Sequence, residues 1–180
     1  MPKPGEGGRA IWDARLRRQL QAGQLALEEL TPYQREDWNT DHWETPWPLI
    51  HDLEEEFGIF ELDPCATERS AKAARYFTES EDGLSQPWAP CRVFCNPPYS
   101  CIEPWLRKAG EEARQGALVV ALIPVRSDQD WWHDLVLPFA ELRFLRGRQR
   151  FIGADGTTIG RPVFSSALAI YRPHCEEVTR

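Results

Sequence analysis

The stretch from Arg92 to Ile123 restricts this chain more than any other. Arg92-Val93-Phe94-Cys95 is a brief apolar strand that runs straight into Asn96-Pro97-Pro98-Tyr99. Ile102, Trp105, Leu106, Ala109 and Ala113 then recur at the spacing of one helix face, and Gly116 stops the helix. Ala117 to Ile123 is an unbroken apolar run of strand length. Strands buried on both faces read as continuous apolar runs, and two of them joined by a helix lie parallel in one sheet. The segment therefore predicts an α/β fold built on a mostly parallel sheet.

A chain of 180 residues suits one compact domain. Its expected bounds are 41–173, with an N-terminal leader and helix over 1–40 and a tail over 174–180. The leader is rich in Gly and Pro, and Ile11, Leu16, Leu20, Leu25 and Leu27 recur at helical spacing until Thr31-Pro32. In the domain, Thr45 suits a helix N-cap with Pro46 at the first position; Leu49, Ile50, Leu53 and Phe57 then line one face up to Gly58. A strand over Ile59–Leu62 ends in Asp63-Pro64-Cys65-Ala66-Thr67, placing an acid at the carboxyl end of a strand, where open α/β sheets hold ligands. A short strand over Arg75–Thr78 and a turn at Glu81-Asp82-Gly83-Leu84 follow. Beyond Pro124 the pattern predicts a loop, a helix with Trp131-Trp132, a strand over Leu142–Leu145, and an exposed loop or hairpin over 147–161. Ala167–Tyr171 reads as a final, antiparallel edge strand.

The longest apolar run, Ala117–Ile123, is too short to span a bilayer, and the N-terminus has no apolar signal core, so no membrane association and a cytoplasmic location are expected. Five cysteines (Cys65, Cys91, Cys95, Cys101, Cys175) with neither a signal nor a CxxC pair predict free thiols and no metal site. The net charge of −7 argues against a nucleic-acid partner until its distribution is considered. Between 143 and 172 the chain carries Arg143, Arg146, Arg148, Arg150, Arg161 and Arg172 against one acid, Asp155. Acids concentrate instead at Asp52, Glu54, Glu55, Glu56 and Glu61, so one face is compatible with DNA.

The tetrapeptide suits one chemical problem. An amine on an aromatic ring is a poor nucleophile because its lone pair is delocalised, and acceptors must engage both of its hydrogens to localise that pair. The Asn96 side-chain oxygen can accept one and the carbonyl of the next residue the other, while Pro97 and Pro98 stiffen the backbone without adding N–H donors. Tyr99 offers a face on which a flipped base can stack. Direct displacement on a sulfonium methyl then needs positioning and electrostatics, and no covalent enzyme intermediate.

Over roughly Asp41 to Tyr171 the sequence resembles the compact phage-type DNA N6-adenine methyltransferase family. The matching pieces are Trp43-x-Thr45-Pro46, Leu62-Asp63-x-Cys65-Ala66-Thr67, Asp82-Gly83-Leu84 with Trp88, Asn96-Pro97-Pro98-Tyr99-Ser100, Trp105 with Lys108-Ala109, Leu122-Ile123-Pro124 with Trp131-Trp132, and Gly147-Arg148 with Phe151. The resemblance implies a single-domain, Rossmann-like, S-adenosylmethionine-dependent methyltransferase fold. It implies catalysis by Asn96, Pro97, Pro98 and Tyr99. Thr45 and Pro46 would lie beside the cofactor's methionine carboxylate, Asp63 near its ammonium, and Asp82 and Leu84 near its adenosine, with Cys65 also among the residues that bind it. One departure is plain: the glycine-rich segment usual after the first strand is absent, and Cys65-Ala66-Thr67 stands in its place. With no room for a separate recognition domain, DNA contacts fall to loops, with Arg126, Trp131, Arg146, Arg148 and Arg150 as the residues expected to make them. A monomer or weak dimer is expected, and the resemblance suggests a role in protecting phage or prophage DNA. Cytosine N4 methylation, RNA adenine methylation, glutamine methylation by the release-factor type of enzyme and an idle DNA-binding module remain alternatives.

Overall fold

The computed structural model describes residues 40–153, 156–158, 162 and 164–173. The leader and helix expected before residue 40, Asp155, Arg161, Cys175 and the tail lie outside the described residues. The main elements are α1 (Trp47–Phe57), β1 (Leu62–Asp63), β2 (Arg75–Tyr76), β3 (Arg92–Cys95), α2 (Ile102–Arg114), β4 (Leu118–Pro124), a π-helical turn (Trp132–Val136), β5 (Glu141–Phe144) and β6 (Ser166–Tyr171).

The described strands form a six-stranded sheet in the order β2-β1-β3-β4-β6-β5. β2, β1, β3 and β4 run parallel, and the register Arg92↔Leu118 to Cys95↔Ala121 joins β3 to β4 across the α2 crossover, as the sequence predicts. β6 is antiparallel to both β4 and β5. The expected position of Ala167–Tyr171 is corrected here: β6 lies one strand in from the edge, and β5 forms the edge. The cause is burial, because all six β6 residues are buried while β5 is half exposed. A strand apolar on both faces needs a neighbour on each side to satisfy its backbone.

Alternation along the strands separates two faces. Val93, Val119, Ala121, Ile123, Ala167 and Ala169 pack with Ile102, Leu106, Ala109 and Ala113 of α2. Phe94, Val120, Leu122, Leu168 and Ile170 are equally buried, and Phe60 lies against Phe94 with ring centroids 5.5 Å apart.

Helix α1 departs from its expected start. Pro46 (φ −70°, ψ 140°) is the N-cap and Pro48 falls in the first turn, so Thr45 lies before the helix and caps nothing. With N–H groups missing at 46 and 48, that turn has fewer donors to cap than an ordinary helix start. The strand expected at Ile59–Leu62 is only Leu62–Asp63, and Ile59 is exposed. Strands β2 and β5 are likewise shorter than, or shifted from, the expected 75–78 and 142–145. None of the helices among the described residues is long and apolar enough to cross a membrane.

A buried carboxylate pins the irregular 83–89 segment to this frame. Glu112, 2% exposed on α2, accepts the Trp88 and Ala89 amides, both at 2.8 Å, and the Lys108 ammonium at 2.6 Å. Burial pushes its pKa up, but the Lys108 hydrogen bond and the two amides outweigh that and hold it below the usual 4.5. A depressed folded-state pKa contributes stability above the unfolded value that is lost as pH falls through the folded one. Glu112→Ala is therefore expected to lower the unfolding free energy by about 3 kcal/mol in urea titrations at pH 7, with a shallower further loss below pH 4.5 than the parent shows.

Candidate active site

The strand order has a switch point. From β1 the chain moves outward to β2, then returns to the other side of β1 as β3. The carboxyl ends of β1 and β3 border the crevice where sheets of this kind bind ligands. Asp63-Pro64-Cys65 leaves β1 there, and Asn96-Pro97-Pro98-Tyr99 leaves β3. The two cysteines of this crevice nearly touch, with Cys65 Sγ 3.6 Å from Cys95 Sγ. Burial and the neighbouring Cys95 hold the Cys65 thiol protonated, its pKa well above the ordinary value.

The chain before α1 closes over the tetrapeptide like a strap. Asp41 accepts the Ser100 amide at 2.9 Å and the Ser100 hydroxyl at 2.6 Å. The Trp43 carbonyl accepts Asn96 Nδ2 at 2.7 Å. Tyr99 donates its hydroxyl to Asn96 Oδ1 at 3.1 Å, and burial pushes the Tyr99 pKa above the ordinary phenol value. These two bonds fix which way the Asn96 amide points: the nitrogen is engaged by backbone, and among the described residues the oxygen accepts only the Tyr99 hydroxyl, leaving its other lone pair open. The Pro97 carbonyl accepts no hydrogen bond from the described residues. Two open acceptors thus stand on adjacent residues.

An aromatic cluster backs this arrangement. Trp43 packs on Phe151 (5.3 Å between centroids) and Phe164 (5.9 Å), and Tyr99 meets Phe164 edge-on at 5.7 Å. Of the exposed loop or hairpin expected over 147–161, the described residues show the hairpin pairing, and part of it is buried. Phe151 is fully buried, Ile152 pairs antiparallel with both Glu44 and Thr158, and Arg69 binds Glu44 and the Gly153 carbonyl. A buried aromatic needs its backbone partnered, and the strap supplies the partner at Glu44.

Asp63 is 4% exposed, and its oxygens accept the Cys65 and Lys72 amides at 3.4 and 3.0 Å. Burial outweighs both bonds and raises its pKa from 3.8 to about 6. Thr45 is 1% exposed, and its hydroxyl has no hydrogen-bond partner among the described residues, which is costly unless something else engages it. Asp82 takes the left-handed conformation (φ 49°) and accepts the Leu84 amide at 3.3 Å. Next to it, a Cβ on Gly83 would stand 1.9 Å from the Pro64 carbonyl oxygen. Only glycine lets the 82–84 turn lie against the 63–65 turn, and Trp88 Nε1 holds it there through the Gly83 carbonyl at 2.8 Å. Asp63, Cys65, Asp82 and Leu84 are therefore brought together through the Pro64–Gly83 contact.

Tyr99, Ser100, Pro124, Arg126, Gln129, Trp131 and Phe164 line a cavity of about 310 Å3 beside the tetrapeptide. The Arg126 guanidinium lies 5.8 Å from the Phe164 ring centre. Trp132 is buried, whereas Trp131 is half-buried and faces the cavity. His133 is exposed and bonded to the Ser127 carbonyl at 2.9 Å. Arg146, Arg148 and Arg150 are exposed and make no ion pair among the described residues. The basic end expected from 143 to 172 is narrower than its composition, because Arg143 pairs with Glu56 and Glu141, and Arg172 pairs with Glu141. Those acids come from α1 and β5, which no local charge count brings together. Among the described residues, no three His, Cys, Asp or Glu side chains converge as metal ligands.

Sequence reasoning missed four contributors. The Trp43 carbonyl grips Asn96 and Asp41 grips Ser100, just after the tetrapeptide, from 53 and 59 residues away, a separation no motif spacing reveals. Gly83 carried a signal, a glycine inside an otherwise ordinary turn, that only its contact with Pro64 explains. Lys72 is the fourth, a lysine in a polar stretch that is nonetheless 4% exposed.

Residues 34–179 match the family model described as DNA N-6-adenine-methyltransferase (Dam). Over 107 residues the chain is 32% identical to the DNA N-6-adenine-methyltransferase of Haemophilus phage HP1 (strain HP1c1), a stretch that covers 58% of this chain and 62% of that one. Over 103 residues it is 27% identical to the DNA N-6-adenine-methyltransferase of Escherichia phage T1, covering 57% of this chain and 43% of that one. The chain thus spans less than two thirds of the length of either relative.

Proposed function

The chain belongs to the DNA N-6-adenine-methyltransferase (Dam) family, and on that premise we propose that it methylates the N6 amine of adenine in DNA with S-adenosylmethionine, in one Rossmann-like α/β domain. The observation that carries this reading is the fixed amide of Asn96. With Nδ2 on the Trp43 carbonyl, Oδ1 and the Pro97 carbonyl are the acceptors that meet the two hydrogens of a target amine. Their pull concentrates the lone pair on nitrogen as it attacks. Tyr99 contributes its ring to the wall of the cavity and its hydroxyl to the second lone pair of Oδ1, keeping the acceptor in place.

When bound, S-adenosylmethionine would supply a methyl group on a sulfonium sulfur, with the neutral thioether as the leaving group when nitrogen attacks that methyl. The residues present fit such a molecule. The unpartnered Thr45 hydroxyl, beside Pro46 at the start of α1, suits a carboxylate. Asp63 suits an ammonium group, with Cys65 beside it, and Asp82 and Leu84 on the Gly83-anchored turn suit the hydroxyls and ring of an adenosine. The cavity beside Tyr99 has the volume to take a purine turned out of a duplex. Arg126 and Trp131 at its rim, with Arg146, Arg148 and Arg150 on the loop tied down by Phe151, form the DNA contacts of this reading.

Nucleoside mass spectrometry of DNA incubated with the protein and isotopically labelled S-adenosylmethionine tests the proposal. Labelled N6-methyladenine is expected, falling roughly 10²- to 10³-fold for Asn96→Ala. Label on cytosine alone would overturn the base assignment, and no label on any base would overturn the reaction. The Asp63 pKa adds a pH signature. Held near 6, Asp63 is mostly neutral below that value and ionises as pH rises through it, so its attraction for an ammonium group grows in that direction. Calorimetric titration should show S-adenosylmethionine affinity falling roughly tenfold from pH 7 to pH 5, and Asp63→Asn should abolish that dependence.

A further inference from the structure

Lys72 has no counterpart among the contacts assigned so far. It is 4% exposed, and its ammonium lies 4.7 Å from the centre of the Trp47 ring. Trp47 is the first residue of α1, so a buried cation stands at the helix end where the unpartnered Thr45 hydroxyl also lies. Its acidic neighbours do not pair with it: Glu44 is held by Arg69, and the two oxygens of Asp63 accept backbone amides, one of them from Lys72 itself. Among the described residues, Lys72 makes no ion pair. Burial lowers its pKa, while Glu44 and Asp63 oppose the shift. A buried ammonium without an anion is expensive unless a ligand supplies one.

We infer that Lys72 is the binding residue for the carboxylate of the cofactor's amino-acid end, acting with the Thr45 hydroxyl at the start of α1, opposite Asp63. The inference rests on the cofactor reading above. A zwitterion needs one cation and one anion at a fixed separation, and Lys72 and Asp63 are tied through the Lys72 amide at 3.0 Å. This arrangement does without the glycine-rich loop that the chain lacks after β1. A side-chain charge and a hydroxyl take over the anion contact that backbone amides of such a loop would make.

The test compares ligands with and without the carboxylate. Calorimetric titrations use S-adenosylmethionine, its decarboxylated form and 5′-methylthioadenosine, against the parent protein and Lys72→Met. The methionine keeps the buried aliphatic volume and removes a buried charge, so the fold should hold, and the melting temperature without ligand checks this. The expected result is roughly 10- to 100-fold weaker S-adenosylmethionine binding to Lys72→Met, with methylthioadenosine unchanged. In the parent, loss of the carboxylate should weaken binding by a similar factor, and that measurement does not depend on any variant folding. Decarboxylated ligand should then bind Lys72→Met no worse than it binds the parent. Equal weakening of all three ligands, or no weakening of S-adenosylmethionine, would overturn the inference while leaving the cofactor reading standing. A parent protein that binds none of the three would overturn both.

Discussion

Everything at the candidate site turns on one hydrogen bond, from Asn96 Nδ2 to the Trp43 carbonyl at 2.7 Å. An amide side chain left free presents either end to a partner, and the reaction proposed here tolerates only the oxygen. The carbonyl resolves the choice because it is itself fixed. Trp43 is packed between Phe151 and Phe164, and the neighbouring Glu44 exchanges both backbone bonds with Ile152. The arginine-bearing loop and Asn96 are thus joined through one strap, Asp41 to Pro46. The loop proposed to meet DNA and the side chain proposed to meet the base share a support in this arrangement.

The second constraint is the switch point of the sheet. Because β1 and β3 are neighbours in space but separated by the β2 excursion, their carboxyl ends bring Asp63 and Asn96 to one crevice. The close contact at Gly83 adds the Asp82 turn, and Glu112 secures the segment behind it. Where a glycine-rich loop would place its amides, this chain has Cys65-Ala66-Thr67. In the proposed cofactor site, charge at Asp63 and Lys72 replaces those amides. Such a site carries buried ionisable groups, and Asp63 with its pKa near 6 records the cost of desolvation before a ligand neutralises it.

Much of this was legible in the sequence, for local reasons. Strand β3, the tetrapeptide, α2 and β4 follow one another without interruption, and periodicity read their types and their parallel pairing correctly. The acid at the end of β1 was legible on the same grounds. What escaped was non-local. The place of β6 inside the sheet depends on β5 covering it, and Arg143 and Arg172 are neutralised by Glu56 and Glu141 from other elements. Thr45 looked like a cap because threonine before proline commonly is one, yet the prolines at 46 and 48 move the helix start beyond it. Lys72 stands in a polar stretch to which the sequence assigns no role, and it is buried. Each miss involves a partner that folding, not sequence adjacency, supplies.

The orientation of the Asn96 amide is open to direct measurement, because the chain contains just two asparagines, Asn39 and Asn96. Protein labelled with 15N at asparagine side chains, with Asn96→Asp to assign the signals, permits hydrogen exchange of the Asn96 Nδ2 protons to be followed by NMR. The account predicts that one of these protons is shifted downfield and exchanges far more slowly than in a short peptide, as an amide held on the Trp43 carbonyl must. Two Asn96 side-chain protons exchanging at the peptide rate would contradict it.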